Sequence, residues 1–152
     1  MGIDMINSLN TLYESDFCLW ATKSAELIKA GKFNELDIEH LIEEVESMGA
    51  SEKRALESRL IELMQHLLKW EFQPERRGSS WEISINKQRV GIEKVLQDNP
   101  SLKYNLDERI IGCYKYARRY AAIETKLPLK KFPEECFYTL EQLADFDFMP
   151  ND

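Results

Sequence analysis

The chain has 152 residues, a mass of 17.9 kDa and 43% hydrophobic residues, which is enough for a single packed domain. No stretch approaches the roughly 18 apolar residues of a membrane span, and the N-terminus carries no secretory signal, so we expect a cytoplasmic protein. The net charge of −7 disfavours nucleic acid as a partner. Three cysteines, an odd number without a CxxC pair, argue against a disulfide framework and against a complete cysteine zinc site.

The excess negative charge lies in the first half of the chain. Residues 1–76 contain 8 Lys and Arg against 15 Asp and Glu, whereas residues 77–152 contain 12 of each. Six carboxylates fall between residues 35 and 46 without one basic residue. We expect this segment to face water or to face arginines.

Two helices are predicted in the first third of the chain, where apolar residues recur with a period of 3.6. The first pattern covers residues 16–30 and ends at Gly31, a residue type favoured just past a helix end. The second pattern covers residues 38–48 and stops at Gly49. We therefore expect a short second helix with an acidic outer side.

The middle of the chain predicts two longer helices. Residues 56–70 repeat apolar side chains in steps of four and three, which gives the central helix a broad apolar face. Pro74 closes this helix because proline lacks the backbone donor. Ser79 and Glu82 fit a capping box, which predicts a fourth helix that begins near Ser80.

The rest of the chain predicts two more helices. A fifth helix covers residues 102–124, and Thr139 with Gln142 forms a second capping box for a brief last helix. No convincing period-two segment exceeds four residues, and no internal repeat is present. We predict an all-α chain, with a flexible N-terminal segment over residues 1–12 and a single-domain helical bundle of five or six helices over residues 13–152.

No catalytic motif is evident in the sequence, and no cofactor is indicated. The glycines are isolated, so no loop fits phosphate binding, and no Ser/His/Asp or Cys/His order matches a nucleophilic triad. With only His40 and His66 in the chain, the paired Glu-x-x-His motif of di-iron bundles is absent. One alternative is a metal site in which helix-two glutamates meet His66 and Glu62; the other is a solvated or arginine-paired stripe.

The segment before the fourth helix is a candidate anion site. Arg76 and Arg77 supply positive charge just before a helix N-terminus, where backbone donors and the helix dipole favour an anion. Ser79 and Ser80 add hydroxyl groups, and Trp81 adds a stacking face. In the structural interpretation, Ser79 only caps the helix, the tryptophans anchor the core and the arginines neutralise helix two.

Several short motifs occur in a fixed order along the chain, and together they resemble one family. The order is Tyr13-Glu14-x-Asp16-Phe17-x-x-Trp20, Leu41-Ile42-Glu43-Glu44-Val45-Glu46-x-Met48-Gly49, Ser58-Arg59, His66-Leu67-Leu68-Lys69-Trp70, Gln73-Pro74-Glu75-Arg76 and Ser80-Trp81. Over about residues 13–150 the chain resembles the bacterial family known as domain of unknown function twenty-nine (DUF29). The resemblance implies a helical single-domain protein without an established activity or cofactor.

The resemblance also implies a polar network around the second, third and fourth predicted helices. The matching positions permit a network in which Arg59, Arg76 or Arg89 pairs with Glu43 or Glu46, and the network is either structural or a binding site. The candidate polar site comprises Glu43, Glu46, Arg59, His66, Arg76, Arg77, Trp81 and Arg89.

Three functions are weighed on these observations. The missing catalytic constellation favours a small cytoplasmic protein-interaction or adaptor domain without catalytic activity, whose partner is another protein. The alternative is a metal- or anion-binding protein with a polar site formed by the helix-two glutamates, His66 and the loop of Arg76 and Arg77. An acidic mimic of nucleic acid is weaker, because six carboxylates on a short helix do not form a double row. The aromatic content leaves a homodimer open.

Overall fold

The computed structural model describes residues 2–150, with side chains from residue 9 onward. The described residues form six α-helices and no strand, so the all-α prediction is confirmed. Within this part of the chain, no helix combines the length and the apolar composition needed to cross a bilayer. The helices are α1 (Gly2–Ser15), α2 (Phe17–Lys29), α3 (Ile38–Phe72), α4 (Ser79–Asp98), α5 (Leu106–Thr125) and α6 (Leu140–Ala144).

The chain divides into two compact units, one that ends at Ala50 and one that begins at Ser51. The first unit contains α1, α2 and the start of α3, and the second contains the rest of α3 with α4, α5 and α6. α1 is a helix that the hydrophobic pattern does not predict. Met1 of the predicted N-terminal segment, and Asn151 and Asp152 of the predicted helical domain, lie outside the described residues.

Both ends of α2 are capped. The Asp16 carboxylate accepts a hydrogen bond from the Leu19 backbone N–H at 3.1 Å, which satisfies a free donor of the first turn. At the other end Gly31 has a left-handed backbone with φ 72°. The N–H groups of Gly31 and Lys32 donate to carbonyls of the last turn at 3.0 and 2.9 Å. The predicted first helix is confirmed to within one residue at each end.

α3 is one continuous helix of 35 residues. The prediction that a short second helix stops at Gly49 is wrong, because the backbone keeps its helical path through this glycine. Glycine inside a helix is about 1 kcal/mol less favourable than alanine, and the good helix formers on both sides offset this difference. The predicted second and third helices are therefore one element, and it ends before Pro74 as expected.

The second unit contains a continuous apolar core built around α3. The broad apolar face predicted over residues 56–70 is buried in it, together with the inner faces of α4 and α5. The segment after α5 adds Phe132, Tyr138 and Leu143 to the same core. The buried apolar residues contributed by the middle of α3 are Leu56, Leu60, Leu63, Met64, Leu67 and Leu68.

The two predicted capping boxes have different outcomes. At α6 the box is present: the Gln142 N–H donates to the Thr139 hydroxyl, and the Thr139 N–H donates to the Gln142 side chain, both at 3.1 Å. At α4 the prediction is wrong, because Gly78 occupies the cap position and Ser79 is already helical without a capping bond. The helix begins at Ser79, one residue earlier than expected.

The fifth helix was predicted to begin at residue 102, but α5 begins at Leu106. Leu102 belongs to a separate 3-10 helix (Pro100–Lys103), and Asn105, with a left-handed backbone at φ 56°, lies between this helix and α5. Leu102 is nevertheless buried in the core of the second unit. The apolar period continues across the break, so periodicity alone extends the helix over it.

Candidate functional site

The first three turns of α3 carry an exposed apolar surface, here called the α3 stripe. It consists of Ile38, Ile42, Val45 and Met48, which follow each other in steps of four and three residues and share one face of the helix. Each of these residues is 49 to 63% exposed. Ile38, Ile42 and Val45, with Leu41, line an open groove of about 400 Å³. Contiguous exposed apolar surface of this kind marks contact sites in soluble proteins.

Glutamates follow one edge of the α3 stripe. Glu39, Glu43 and Glu46 are exposed, and within the first unit none of them forms an ion pair with a described residue. Residues 1–50 contain 3 of the 20 Lys and Arg and 10 of the 27 Asp and Glu, so they carry the whole net charge of −7. The α3 stripe is therefore apolar in its centre and acidic along this edge.

A cluster of polar and aromatic side chains fixes the start of α3. The buried Asp37 carboxylate accepts a hydrogen bond from the Trp20 indole N–H at 3.1 Å and lies 2.6 Å from Nδ1 of His40. Its second oxygen accepts from the His40 backbone N–H at 3.4 Å, so Asp37 also caps the helix. The His40 imidazole stacks on Tyr13, with ring centroids 3.9 Å apart. These contacts hold the first turn of α3, where the α3 stripe begins.

Hydrogen bonds shift two pKa values in this cluster. The bond to Asp37 raises the pKa of His40; burial of the ring opposes this shift, and nearby carboxylates add to it. The Tyr13 hydroxyl donates to Glu44 at 2.5 Å, and this bond, together with burial, raises the pKa of Tyr13 to about 12. His40 therefore keeps its proton to a higher pH than a free histidine does.

The Asp37 and His40 pair has the geometry by which proteins orient a functional histidine. A carboxylate on Nδ1 fixes the tautomer and the direction of the ring in both catalytic and metal-binding histidines. Here the same carboxylate also caps α3 and accepts the Trp20 indole hydrogen. The contacts of Asp37 therefore indicate that the Asp37 and His40 pair stabilises the start of α3.

The guanidinium of Arg59, a candidate site residue, packs against Gly91 of α4. Its Nη1 donates to Oε1 of Gln88 at 3.3 Å, and the Gln88 amide donates to Glu62 at 2.8 Å. A Cβ atom added to Gly91 would lie 2.2 Å from Nη1 of Arg59, so the glycine leaves the space that the guanidinium fills. Arg59 thus joins α3 to α4.

Lys69 is buried on α3, and its ammonium contacts α4 and α5. The Nζ atom lies 2.5 Å from Oε2 of Glu124 and 4.8 Å from the centre of the Trp81 ring. Burial raises the pKa of Glu124, but the hydrogen bond and the charge of Lys69, together with Gln65 and His66, outweigh burial, so the pKa is lowered. Trp81, which the sequence predicts as a stacking face for a ligand, is half-buried and has this lysine over its ring.

Two of the three candidates near the end of α3, His66 and Arg77, form hydrogen bonds with backbone carbonyls close to them in sequence. Arg77 donates from Nε to the Trp70 carbonyl at 2.7 Å, and its guanidinium lies 5.2 Å from the centre of the Trp70 ring. His66 donates from Nδ1 to the Glu62 carbonyl of its own helix at 2.8 Å. Arg76 is exposed. Arg77 therefore closes the turn after α3, and Arg76 is left on the surface.

Arg89 is the most buried candidate, with 2% of the residue exposed. Its Nε and Nη2 atoms donate to the carbonyls of Leu143 and Gln142 at 3.0 and 3.2 Å. The Gln142 carbonyl also accepts from the Asp145 backbone N–H at 3.3 Å, and the two bonds from Arg89 anchor α6 to α4. Burial lowers the pKa of Arg89, and the charges of Asp145 and Asp147 oppose this shift.

The eight candidate residues are divided between the two units. Glu43 and Glu46 belong to the first unit, and the other six belong to the second. In the part of the chain that the structure describes, no three His, Cys, Asp or Glu side chains are grouped so that they could hold a metal ion. The predicted pairing of an arginine with Glu43 or Glu46 stays a prediction.

Sequence reasoning did not single out Asp37 or Lys69, although both have several polar or aromatic contacts. Asp37 comes directly before the apolar pattern of residues 38–48, where a capping residue is expected, so this signal was available. Lys69 has no such signal, because its partner Glu124 lies 55 residues later in the chain.

Comparison with protein-family models matches residues 12–149 to a family described as domain of unknown function DUF29. This match covers nearly the whole chain and agrees with the extent of the ordered motifs. No curated protein and no solved structure matches the chain.

Proposed function

The chain belongs to the DUF29 family, whose function is unknown, and we propose that it is a small cytoplasmic protein-interaction module of bacteria. The single observation that carries this proposal is the α3 stripe with its acidic edge. The occupant of the stripe is a basic amphipathic helix of another protein. The three free cysteines support a reducing compartment.

The spacing of the α3 stripe favours a helix as its occupant. Side chains at steps of four and three residues form ridges, and the ridges of a second helix pack between them. Ile38, Ile42 and Val45 provide such a ridge, and together with Leu41 and Glu46 they line an open groove on this helix. An amphipathic helix binds a groove of this kind through apolar anchors at positions i, i+3 or i+4, and i+7.

The charge of the α3 stripe favours a basic occupant. Glu39, Glu43 and Glu46 line one edge, and the segment between residues 35 and 46 contains no lysine or arginine. Opposite charge at the rim of an interface increases the association rate and selects the partner more than it increases affinity. The occupant should therefore combine an apolar ridge with lysines or arginines on one side.

Photo-crosslinking from the α3 stripe tests the proposal in host cells. A photoreactive amino acid replaces Val45 in the full chain, and mass spectrometry locates the crosslinked residue in the partner. We expect the crosslink to lie on a basic amphipathic helix. A synthetic peptide of that segment is then titrated against the full chain at low and high salt.

Matched variants identify the contact. Ile42→Ser and the double variant Glu43→Lys, Glu46→Lys should each weaken peptide binding about tenfold or more, and the double variant should lose most of the salt dependence. Ile123→Ser removes an equally apolar residue, 67% exposed on α5, and should bind the peptide like the unchanged chain. Crosslinks to nucleic acid, to an acidic segment or to a second copy of this chain contradict the proposal.

A further inference from the structure

A mainly apolar cavity lies in the second unit. It has a volume of about 240 Å³ and is bounded by α3, α4, α5 and α6. This volume is below the roughly 300–1,000 Å³ of sites for drug-sized ligands, so the cavity suits a smaller molecule. The apolar side chains that line it include Leu60, Ile92, Leu96, Leu106, Leu143 and Phe146.

Arg89 also lines this cavity, and its hydrogen bonds are incomplete. Nε and Nη2 donate to backbone carbonyls of α6, but Nη1 is buried without a hydrogen-bond partner among the described residues. No described carboxylate forms an ion pair with the guanidinium, and Asp145 and Asp147 act on it from a greater distance. Because a buried guanidinium keeps its charge, Nη1 is a charged donor without an acceptor.

We propose that this cavity binds a small carboxylic acid with an apolar tail. The tail lies among the leucines of the wall, and a carboxylate oxygen accepts the hydrogen bond from Nη1 of Arg89. Nη1 is covered from solvent, so a side chain beside it moves to admit the carboxylate. Lys103 and Glu93 also line the cavity, and the Glu93 carboxylate accepts from Gln97 at 3.3 Å.

The cavity suits a carboxylate better than a phosphate. A phosphate group needs several donors at once, whereas Nη1 of Arg89 is the one buried unpaired donor among the described residues that line the cavity, and the charges of Lys103 and Glu93 offset each other. A buried ion is stable only when its charge and its hydrogen bonds are matched, and a monovalent carboxylate matches one guanidinium. This inference does not depend on the α3 stripe, which belongs to the first unit.

Calorimetric titration of the full chain with octanoate and with 1-octanol tests the inference. The two probes share the same tail and differ in the carboxylate, so we expect octanoate to bind about tenfold or more tightly than octanol. Arg89→Gln removes the charge and should weaken octanoate about tenfold while octanol binding stays the same. Leu96→Trp fills the cavity and should abolish binding of both probes.

The control is Arg118→Gln. Arg118 also donates to backbone carbonyls, those of Phe132 and Leu129, both at 3.1 Å, but it does not line this cavity, so octanoate binding should not change. Circular dichroism checks that each variant folds. If Arg89→Gln does not fold, two other results decide whether the inference holds. They are the relative affinity of the unchanged chain for octanoate and octanol, and the loss of binding in Leu96→Trp. Equal affinity for octanoate and octanol, no binding of octanoate, or undiminished binding in Leu96→Trp overturns the inference.

Discussion

His40 makes the stability of the first unit depend on pH. Its bond to Asp37 raises the pKa of the imidazole in the folded chain. Folding therefore favours the protonated ring, and the resulting stabilisation is complete below the unfolded pKa of about 6.5. It is lost as the pH rises through the folded pKa.

We expect the difference in free energy of unfolding between the unchanged chain and His40→Gln to shrink as the pH rises from about 5.5 to 8. Urea unfolding at a series of pH values measures this difference. A proton NMR titration provides the control: Asp37→Asn should lower the midpoint of the His40 ring signal, which His66→Gln helps to assign. A difference that is constant or grows with pH would show that the Asp37 bond does not favour the charged ring.

Gly91 and Arg59 form a second pair whose effects are coupled. Gly91→Ala should gain about 0.5–1 kcal/mol of helix propensity but displace the guanidinium of Arg59 and its bond to Gln88, which is worth about 0.5–1.5 kcal/mol. We therefore expect little net change in the unchanged chain and a stabilisation of about 0.5–1 kcal/mol in the Arg59→Ala background. A double-mutant cycle by urea unfolding measures this coupling.

The matched control for this cycle is Gly112→Ala on α5. A Cβ atom at Gly112 meets nothing within 4 Å, so the substitution should stabilise the chain equally in both backgrounds. Equal effects of Gly91→Ala in the two backgrounds would mean that Arg59 does not occupy the space beside the glycine.

At the scale of elements, Gly31 and Gly49 show why the same residue type ends one helix and continues another. Gly31 has φ 72°, and its N–H and the next one bond back to the last turn of α2. Gly49 lies inside α3, and the helix formers after it carry the backbone onward. The sequence patterns before the two glycines are alike, so the pattern does not separate a helix end from a tolerated interior glycine.

Alanine substitution distinguishes these two glycines. Gly31→Ala should lower the free energy of unfolding by about 1 kcal/mol, because alanine is strained in the left-handed region. Gly49→Ala should raise it by about 0.5–1 kcal/mol, since a Cβ atom there meets nothing within 4 Å. Urea unfolding followed by circular dichroism measures both. Destabilisation by Gly49→Ala would indicate that two helices meet at this glycine.

At the scale of the whole molecule, periodicity predicts helices but does not identify which apolar faces are covered. The patterns of residues 38–48 and 56–70 are similar in sequence, yet the first forms the exposed α3 stripe and the second lies in the core. Local capping chemistry around Thr139 was predictable because its partner in both hydrogen bonds, Gln142, lies three residues later. The positions of most helices therefore follow from local sequence patterns, whereas the burial of their faces does not.

The candidate site was less predictable for the same reason. The family resemblance identified Arg89, and the composition of the segment before the fourth helix identified Trp81, but their roles depend on Leu143 and Lys69, which lie on other helices. A buried lysine such as Lys69 is understandable only once Glu124 and the Trp81 ring are placed around it. Spacing within one helix contains no information about these long-range partners.

The bond between Arg89 and Leu143 has a consequence for synthesis of the chain on the ribosome. The two residues are 54 positions apart, which at about 5–20 residues per second corresponds to roughly 3 to 11 s of translation. During this interval Arg89 has no α6 carbonyls to bind, and the apolar surface that α6 covers is open to water. The contacts of Asp37 with Trp20 and His40 can already form at this stage. A nascent chain is therefore expected to attract chaperones or proteases through its second unit.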